Sequence, residues 1–143
     1  MNINRKTEYA VAIIICINYL LKSGHYVTAK QIFEATSIPP KFLSVILSDL
    51  QRAGILKSIR GFGGGYLLNK KLRDISLKDI VRATGRDQTS REKKSENIFQ
   101  SFALTVSSDL SGEYEKLLEK TNFEELFRRF ENLMSPMTPM FYI

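Results

Sequence analysis

TAKQIFEATSIPPKFLSVILSDLQRAGILKSIRGFGGGYLL, residues 28–68, reads as two short helices followed by a glycine-tipped hairpin. Thr28 and Gln31 stand at the spacing at which a hydroxyl and an amide cap a helix start reciprocally, and Ile32, Phe33 and Ala35 give that helix an apolar side expected to be buried. A turn is expected over residues 36–39. Pro40 brings the fixed φ of a first helical position, and Leu43, Ile46, Leu47, Leu50 and Ala53 recur at helical spacing up to a stop at Gly54. The opposite side of this second helix carries Lys41, Ser44, Val45, Ser48 and Arg52. Side chains that are small or polar near the helix start suit entry into the DNA major groove by the N-terminal end.

Residues 55–59 read as one strand and residues 66–69 as a second. Between them Arg60-Gly61-Phe62-Gly63-Gly64-Gly65 holds four glycines, which permit positive φ and close approach of backbone to another surface. Arg60 sits at the mouth of this turn, where a guanidinium reaches phosphates or a narrow minor groove. A nucleotide loop does not fit: Tyr66 stands where the dinucleotide pattern puts its third glycine, and no Gly-Lys-Ser/Thr follows for a phosphate loop. Two helices, a turn and this hairpin outline a winged helix-turn-helix, a mainly α fold with a small β-hairpin wing. The candidate DNA contacts are Lys30, Lys41, Ser44, Val45, Ser48, Lys57, Ser58 and Arg60.

Asn4-Arg5-Lys6-Thr7-Glu8-Tyr9-Ala10, Lys41-Phe42-Leu43, the run from Leu50 through Gly61, and Gly64-Gly65-Tyr66 together resemble the Rrf2 family of bacterial transcriptional regulators. These are regulators of the iron-sulfur, nitric-oxide and cysteine-metabolism type. The similarity is dense over residues 1–84 and looser beyond, and its most specific part runs from Ala53 to Tyr66. It departs from the family at Ser44 and Val45, where many relatives have Glu and Gln, so the operator is expected to differ from theirs.

Charge is uneven along the 143 residues: 13 Lys/Arg against 5 Asp/Glu through Thr84, then 8 against 10. Contact with a polyanion is therefore expected of the first part alone. Cys16 is the only cysteine, which rules out an intramolecular disulfide and gives secretion no support, so a cytoplasmic protein is expected. It lies in an apolar run and reads as a small core residue. Arg5 and Lys6 ahead of that run imitate a signal peptide, yet no cleavage pattern follows, and the run is short for a membrane span and interrupted by Asn18. A buried first helix over residues 6–21, closing near Gly24, is expected instead, with no membrane contact. His25 has no second histidine or cysteine beside it to build a metal site and reads as a loop residue. No nucleophile-base arrangement is visible, so an enzyme is not expected.

Ser76-Leu77-Lys78-Asp79 starts another helix, with Leu77, Ile80, Val81 and Thr84 on its buried side and Gly85 at its end. A charge-rich linker follows, RDQTSREKKSEN. By the resemblance, cluster-binding relatives carry three cysteines here, and some use an acidic residue near Glu8 as a further ligand. This segment has no cysteine, so the thiolates of such an iron-sulfur cluster are missing, and no metal or cofactor is expected. Ile98, Phe99, Phe102, Val106, Leu110, Tyr114, Leu117 and Leu118 then recur at mostly three- and four-residue spacing, giving a long amphipathic helix with more apolar surface than one winged helix covers. The resemblance implies that this helix crosses its partner in a homodimer. Gly112 in its interior is expected to mark a bend or a close contact. Thr121-Asn122-Phe123-Glu124 has the form of a capping box, and Phe123, Leu126, Phe127, Phe130 and Leu133 line one face of a last helix.

The expected organisation is a winged helix-turn-helix DNA-binding domain over residues 1–84, a polar linker over 85–97, dimerisation helices over 98–134 and a tail over 135–143. In the tail Pro136 and Pro139 discourage helix, and the chain ends on the apolar Met140-Phe141-Tyr142-Ile143. Either this end folds back onto the dimer core, or it follows the cluster-free cysteine-metabolism branch of the family, whose C-terminus it resembles. In that branch the tail binds O-acetylserine sulfhydrylase (cysteine synthase), with the Ile143 carboxylate here as the mimic of an amino-acid substrate. The resulting expectation is a dimeric repressor on a pseudo-palindromic stretch of double-stranded DNA, of the cysteine-metabolism kind. Two others stand beside it: a module that docks a metabolic enzyme, and a small-molecule-sensing regulator with its ligand between the wing domain and the long helix.

Overall fold

A computed structural model describes residues 3–22, 24–61, 64–85 and 97–135. The first helix, α1 (Arg5–Leu21), begins one residue before the expected start because Asn4 caps it, its side-chain oxygen accepting from the Thr7 backbone N–H at 2.9 Å. Ala10, Ile13, Ile14 and Ile17 are fully buried and Cys16 nearly so. A helix apolar around most of its circumference needs cover from several sides. That cover comes from α2 (Ala29–Thr36), α3 (Pro40–Arg52), the second hairpin strand, α4 (Leu77–Thr84) and α6 (Phe123–Met134).

In α2 the reciprocal cap between Thr28 and Gln31 is present. Of the three residues expected to be buried, only Ile32 is; Phe33 and Ala35 are exposed. The helix is short and meets α1 along the line of Ile32, and successive side chains are turned about 100° from one another. Phe33 consequently lies over a cleft with α3. Ser37, at φ 57°, ends α2 by donating its backbone N–H to the Phe33 carbonyl at 2.8 Å. Pro40 opens α3, which buries Leu43, Ile46, Leu47 and Leu50. Ala53 is exposed, contrary to expectation, because α3 stops at Arg52 and Ala53 is its C-cap.

Strands β1 (Leu56–Ile59) and β2 (Gly65–Leu68) pair antiparallel, with Leu56 opposite Leu68 and Ile59 opposite Gly65. β1 starts one residue later than expected and ends where expected, β2 lies one residue earlier than expected, and Asn69 still donates to the Ile55 carbonyl at 2.9 Å. Val27 bridges to Tyr66 through two backbone hydrogen bonds of 2.9 and 2.7 Å, which fastens the hairpin to the segment before α2. That bridge explains Gly65: a Cβ there would lie 2.5 Å from the Val27 carbonyl oxygen. Gly61, at φ +121°, supplies the positive φ on the other side of the turn.

Helix α4 carries the reciprocal cap of Ser76 and Asp79, buries Ile80, Val81 and Thr84, and ends at Gly85. The Thr84 hydroxyl lies 2.9 Å from that of Thr7, both buried, so the end of α4 is tied to the start of α1. Helix α5 (Ile98–Lys120) is continuous through Gly112, where an added Cβ would meet nothing within 4 Å. The cap of α6 is Asn122, which accepts from the Glu125 N–H at 3.0 Å. Thr121, expected in that role, instead donates its hydroxyl back to the Leu117 carbonyl at 2.9 Å. Phe123 is fully buried in the same core as α1, and Phe127 is buried beside it. Phe130 meets Tyr19 edge-on at 5.5 Å, and Lys22 pairs with Glu131 at 3.3 Å. One apolar core therefore runs from α1 through α6. Apart from Gly85, Asn97 and Ser135, the expected linker and tail lie outside the described residues, as do Phe62 and Gly63 of the wing. No helix among the described residues is long and apolar enough to cross a membrane.

If α6 is a structural part of the winged domain, Phe123→Ala should lower stability by about 3–5 kcal/mol. Arg128→Ala, on the exposed side of the same helix, should change it by less than about 0.5 kcal/mol. Urea unfolding followed by circular dichroism measures both.

Candidate nucleic-acid interface

The exposed side of α3 carries Lys41, Ser44, Val45 and Ser48, as the helical spacing requires once Leu43, Ile46, Leu47 and Leu50 turn inward. Lys30, in the first turn of α2, and Ser44 border one cleft of about 320 Å³, with Phe33, Pro40, Leu43 and Tyr66 among its other walls. Lys57 is exposed on β1, and Arg60 is exposed at the end of that strand. Ser58 is half-buried and accepts from the Gln51 side-chain amide at 3.0 Å, so it laces β1 to the last turns of α3.

The cations in this region are not equivalent. Lys6 reaches Asp49 of α3 at 2.5 Å, and Arg52 reaches the other oxygen of the same carboxylate at 3.5 Å. Arg52, placed by spacing on the outward side of α3, is thus drawn toward Asp49. Lys30 has a loose pair with Glu34 at 3.9 Å. Lys41, Lys57 and Arg60 have no carboxylate partner among the described residues. Their charge is available to phosphates.

Periodicity gave no sign of two further features. Phe42 is half-exposed in the first turn of α3 and packs on Tyr9 of α1, ring centroids 6.1 Å apart, while the Arg5 guanidinium lies 5.9 Å from the Tyr9 ring. Asp49 joins α1 to α3 from the same flank. The signal available in sequence was their separation of seven residues, which puts both on one side of a helix.

Cys16 is buried in the core, and burial pushes its thiol above the ordinary value, opposing the thiolate form that ligation and nucleophilic attack both need. Among the described residues no group of three or more His, Cys, Asp or Glu side chains gathers to hold a metal ion. His25 is an exposed loop residue and Glu8 an exposed residue of the first turn of α1.

A helix-turn-helix with an outward polar face on its second helix, followed by a hairpin wing carrying unpaired cations, defines a winged-helix DNA-binding regulator. The chain belongs to the Rrf2 family, described as iron-dependent transcriptional regulators, which it matches over residues 3–129. It is 37% identical over 82 residues to the rrf2-like HTH-type transcriptional regulator of Rhodobacter capsulatus, covering 56% of this chain and 55% of that protein. It is 35% identical over 83 residues to the HTH-type transcriptional regulator CymR of Bacillus subtilis, covering 57% and 59%. The chain thus spans little more than half the length of these curated relatives. The solved structure of CymR (YrzC), described as the global cysteine regulator of B. subtilis, matches with a TM-score of 0.73 at 25% identity, over 90% of this chain and 98% of that one. T. potens IscR shares the fold, with a TM-score of 0.73 at 24% identity over 99% and 97%. The family and these relatives are transcriptional regulators. An iron-sulfur cluster held by thiolates does not fit this chain, because its only thiol is sealed in the core.

Arg60→Ala should weaken binding to the preferred DNA sequence by about 1–3 kcal/mol with the fold intact if the guanidinium reads a base edge. A phosphate contact would weaken binding to all sequences alike, and unchanged affinity on every duplex would remove Arg60 from the interface. Fluorescence anisotropy on specific and random duplexes distinguishes these outcomes.

Proposed function

We propose that this Rrf2-family regulator is a homodimeric repressor, joined through α5, whose two α3 helices enter successive major grooves of a pseudo-palindromic operator. The observation that carries this reading is the face of α5. Phe99 is 82% exposed, Ile98 76%, Phe102 71% and Leu110 67%, while Leu118 alone is buried on that helix. An apolar face of that extent calls for a partner. A second copy supplies an identical face, which a two-fold axis sets against the first. The helix-turn-helix and wing then meet DNA through Lys30, Lys41, Ser44, Val45, Ser48, Lys57, Ser58 and Arg60.

A role in cysteine or sulfur metabolism is supported by the similarity to CymR over 83 residues and by the likeness of fold across nearly the whole of that regulator. The same branch motivates the proposal that Met140, Phe141, Tyr142 and Ile143 dock O-acetylserine sulfhydrylase. A terminal carboxylate on an apolar end, tethered through prolines, loses little freedom on capture in an amino-acid pocket.

Phe102→Glu should convert the protein to a monomer in sedimentation equilibrium while its helical circular dichroism persists. Operator affinity should then fall by about a hundredfold or more, since the second half-site no longer binds as one unit. A variant that remains dimeric would remove α5 as the junction.

Calorimetric titration of O-acetylserine sulfhydrylase should show binding by the full chain, competed by O-acetylserine, and none by a variant ending at Pro139. Equal binding by both forms, or by neither, would overturn the docking role of the tail.

A further inference from the structure

We propose that α3 reads thymine by its 5-methyl group, with Val45 as the reader and Phe42 as a second apolar contact in the first turn. The inference rests on the reading of α3 as the recognition helix and names what that helix selects.

Val45 is 50% exposed and Phe42 51%. Three residues apart on a helix, they are surface neighbours and form one small apolar patch. The other exposed side chains of the first turns of α3 include Lys41, Ser44 and Ser48. The Phe42 ring is held in place from α1, against Tyr9, which itself lies under the Arg5 guanidinium. A ring held before binding has less freedom to lose when it meets a ligand.

The surroundings of the patch indicate what covers it. Lys41 beside it and Arg60 on the wing lack carboxylate partners among the described residues, in the part of the chain with 13 basic against 5 acidic residues. An apolar protein surface would leave those charges unanswered, whereas a DNA groove answers them with phosphates.

In the major groove, guanine, cytosine and adenine offer donors and acceptors, and thymine alone adds a methyl group. Valine and phenylalanine have no side-chain donor or acceptor. Pressed against a polar base edge they would displace water and return no hydrogen bond, a net cost. Against thymine they bury methyl on hydrocarbon. Ser44 and Ser48 serve as donor or acceptor to any of the bases and discriminate weakly. In the first turns of α3, Lys41 is able to read guanine, and discrimination of thymine falls to the two apolar residues.

Selection from a randomised duplex pool with the full-length protein yields a preferred sequence, in which each thymine is then replaced singly by deoxyuridine. This substitution keeps the base pair and removes only the methyl group. At one or two thymines per half-site the affinity should fall about fourfold, the order expected when one methyl-sized group leaves an apolar contact. Val45→Ser should abolish the difference at one of these thymines and Phe42→Ser at another, each with thermal midpoint checked. Equal affinity for thymine and uracil at every position overturns the proposal, and this comparison needs only the unsubstituted protein. A difference that survives both substitutions at full size also overturns it, since other residues would then read the methyl. A pool in which no sequence is enriched would instead overturn the reading of α3 as a recognition helix.

Discussion

Burial of α1 is the constraint on which the other elements depend. Ala10, Ile13, Ile14 and Ile17 leave it almost no wettable side over its central turns, so it is stable only where several elements close around it. α2, α3, α4, β2 and α6 are those elements. Each has one apolar stripe to bury, and α1 is the surface they share. This explains why a segment that imitates a signal peptide in sequence becomes the axis of a domain. It also explains why α6, about forty residues beyond α4 in sequence, returns to place Phe123 in the same core.

The geometry of the proposed DNA face follows from polar ties laid over that core. The backbone bridge between Val27 and Tyr66 fixes the hairpin to the segment that opens the helix-turn-helix. Asp49 carries out the corresponding task at α3, with its carboxylate shared between Lys6 and Arg52. The side chain of Asp49 is mostly shielded, and a shielded carboxylate needs cationic partners of this kind. Through Thr7 and Thr84 the first turn of α1 is further joined to the end of α4, immediately before the linker. α3 is thus held from the same short stretch of α1 that is tied to the end of α4.

Elements whose residues obey a local rule were legible in sequence. The caps at Thr28 and Ser76 are present with both reciprocal bonds, Pro40 opens α3, and the inward residues from Leu43 to Leu50 are buried. The misreadings concern choices that only tertiary packing makes. Phe33 has the periodic position of a buried residue, yet α2 is too short to cover more than the line of Ile32. Thr121 and Asn122 are both good caps, and the choice fell to Asn122 because the Thr121 hydroxyl bonds back to α5. For the interface, the spacing of α3 predicted which residues face outward. It did not show that Arg52 is partnered by Asp49 or that Phe42 is anchored from α1, since both depend on how α1 crosses α3.

The apolar face of α5 and the apolar patch at the start of α3 are both uncovered among the described residues, and the charge around each suits a different proposed occupant. The face of α5 carries several large side chains in a part of the chain with 8 basic and 10 acidic residues. Such a surface has no attraction for a polyanion and suits an apolar partner such as its own copy. The patch on α3 holds only Phe42 and Val45, set among cations, which is too little for a protein contact and enough for base methyl groups. The two surfaces then divide recognition between them. In the proposed dimer, α3 would determine which bases are favoured within a half-site, and α5 would determine how far apart two half-sites must lie, because it would set the distance and angle between the paired α3 helices. A few weak apolar contacts per half-site discriminate poorly alone. Paired through α5 as proposed, they would be met twice at one fixed spacing, and the free energies of the two half-sites would add.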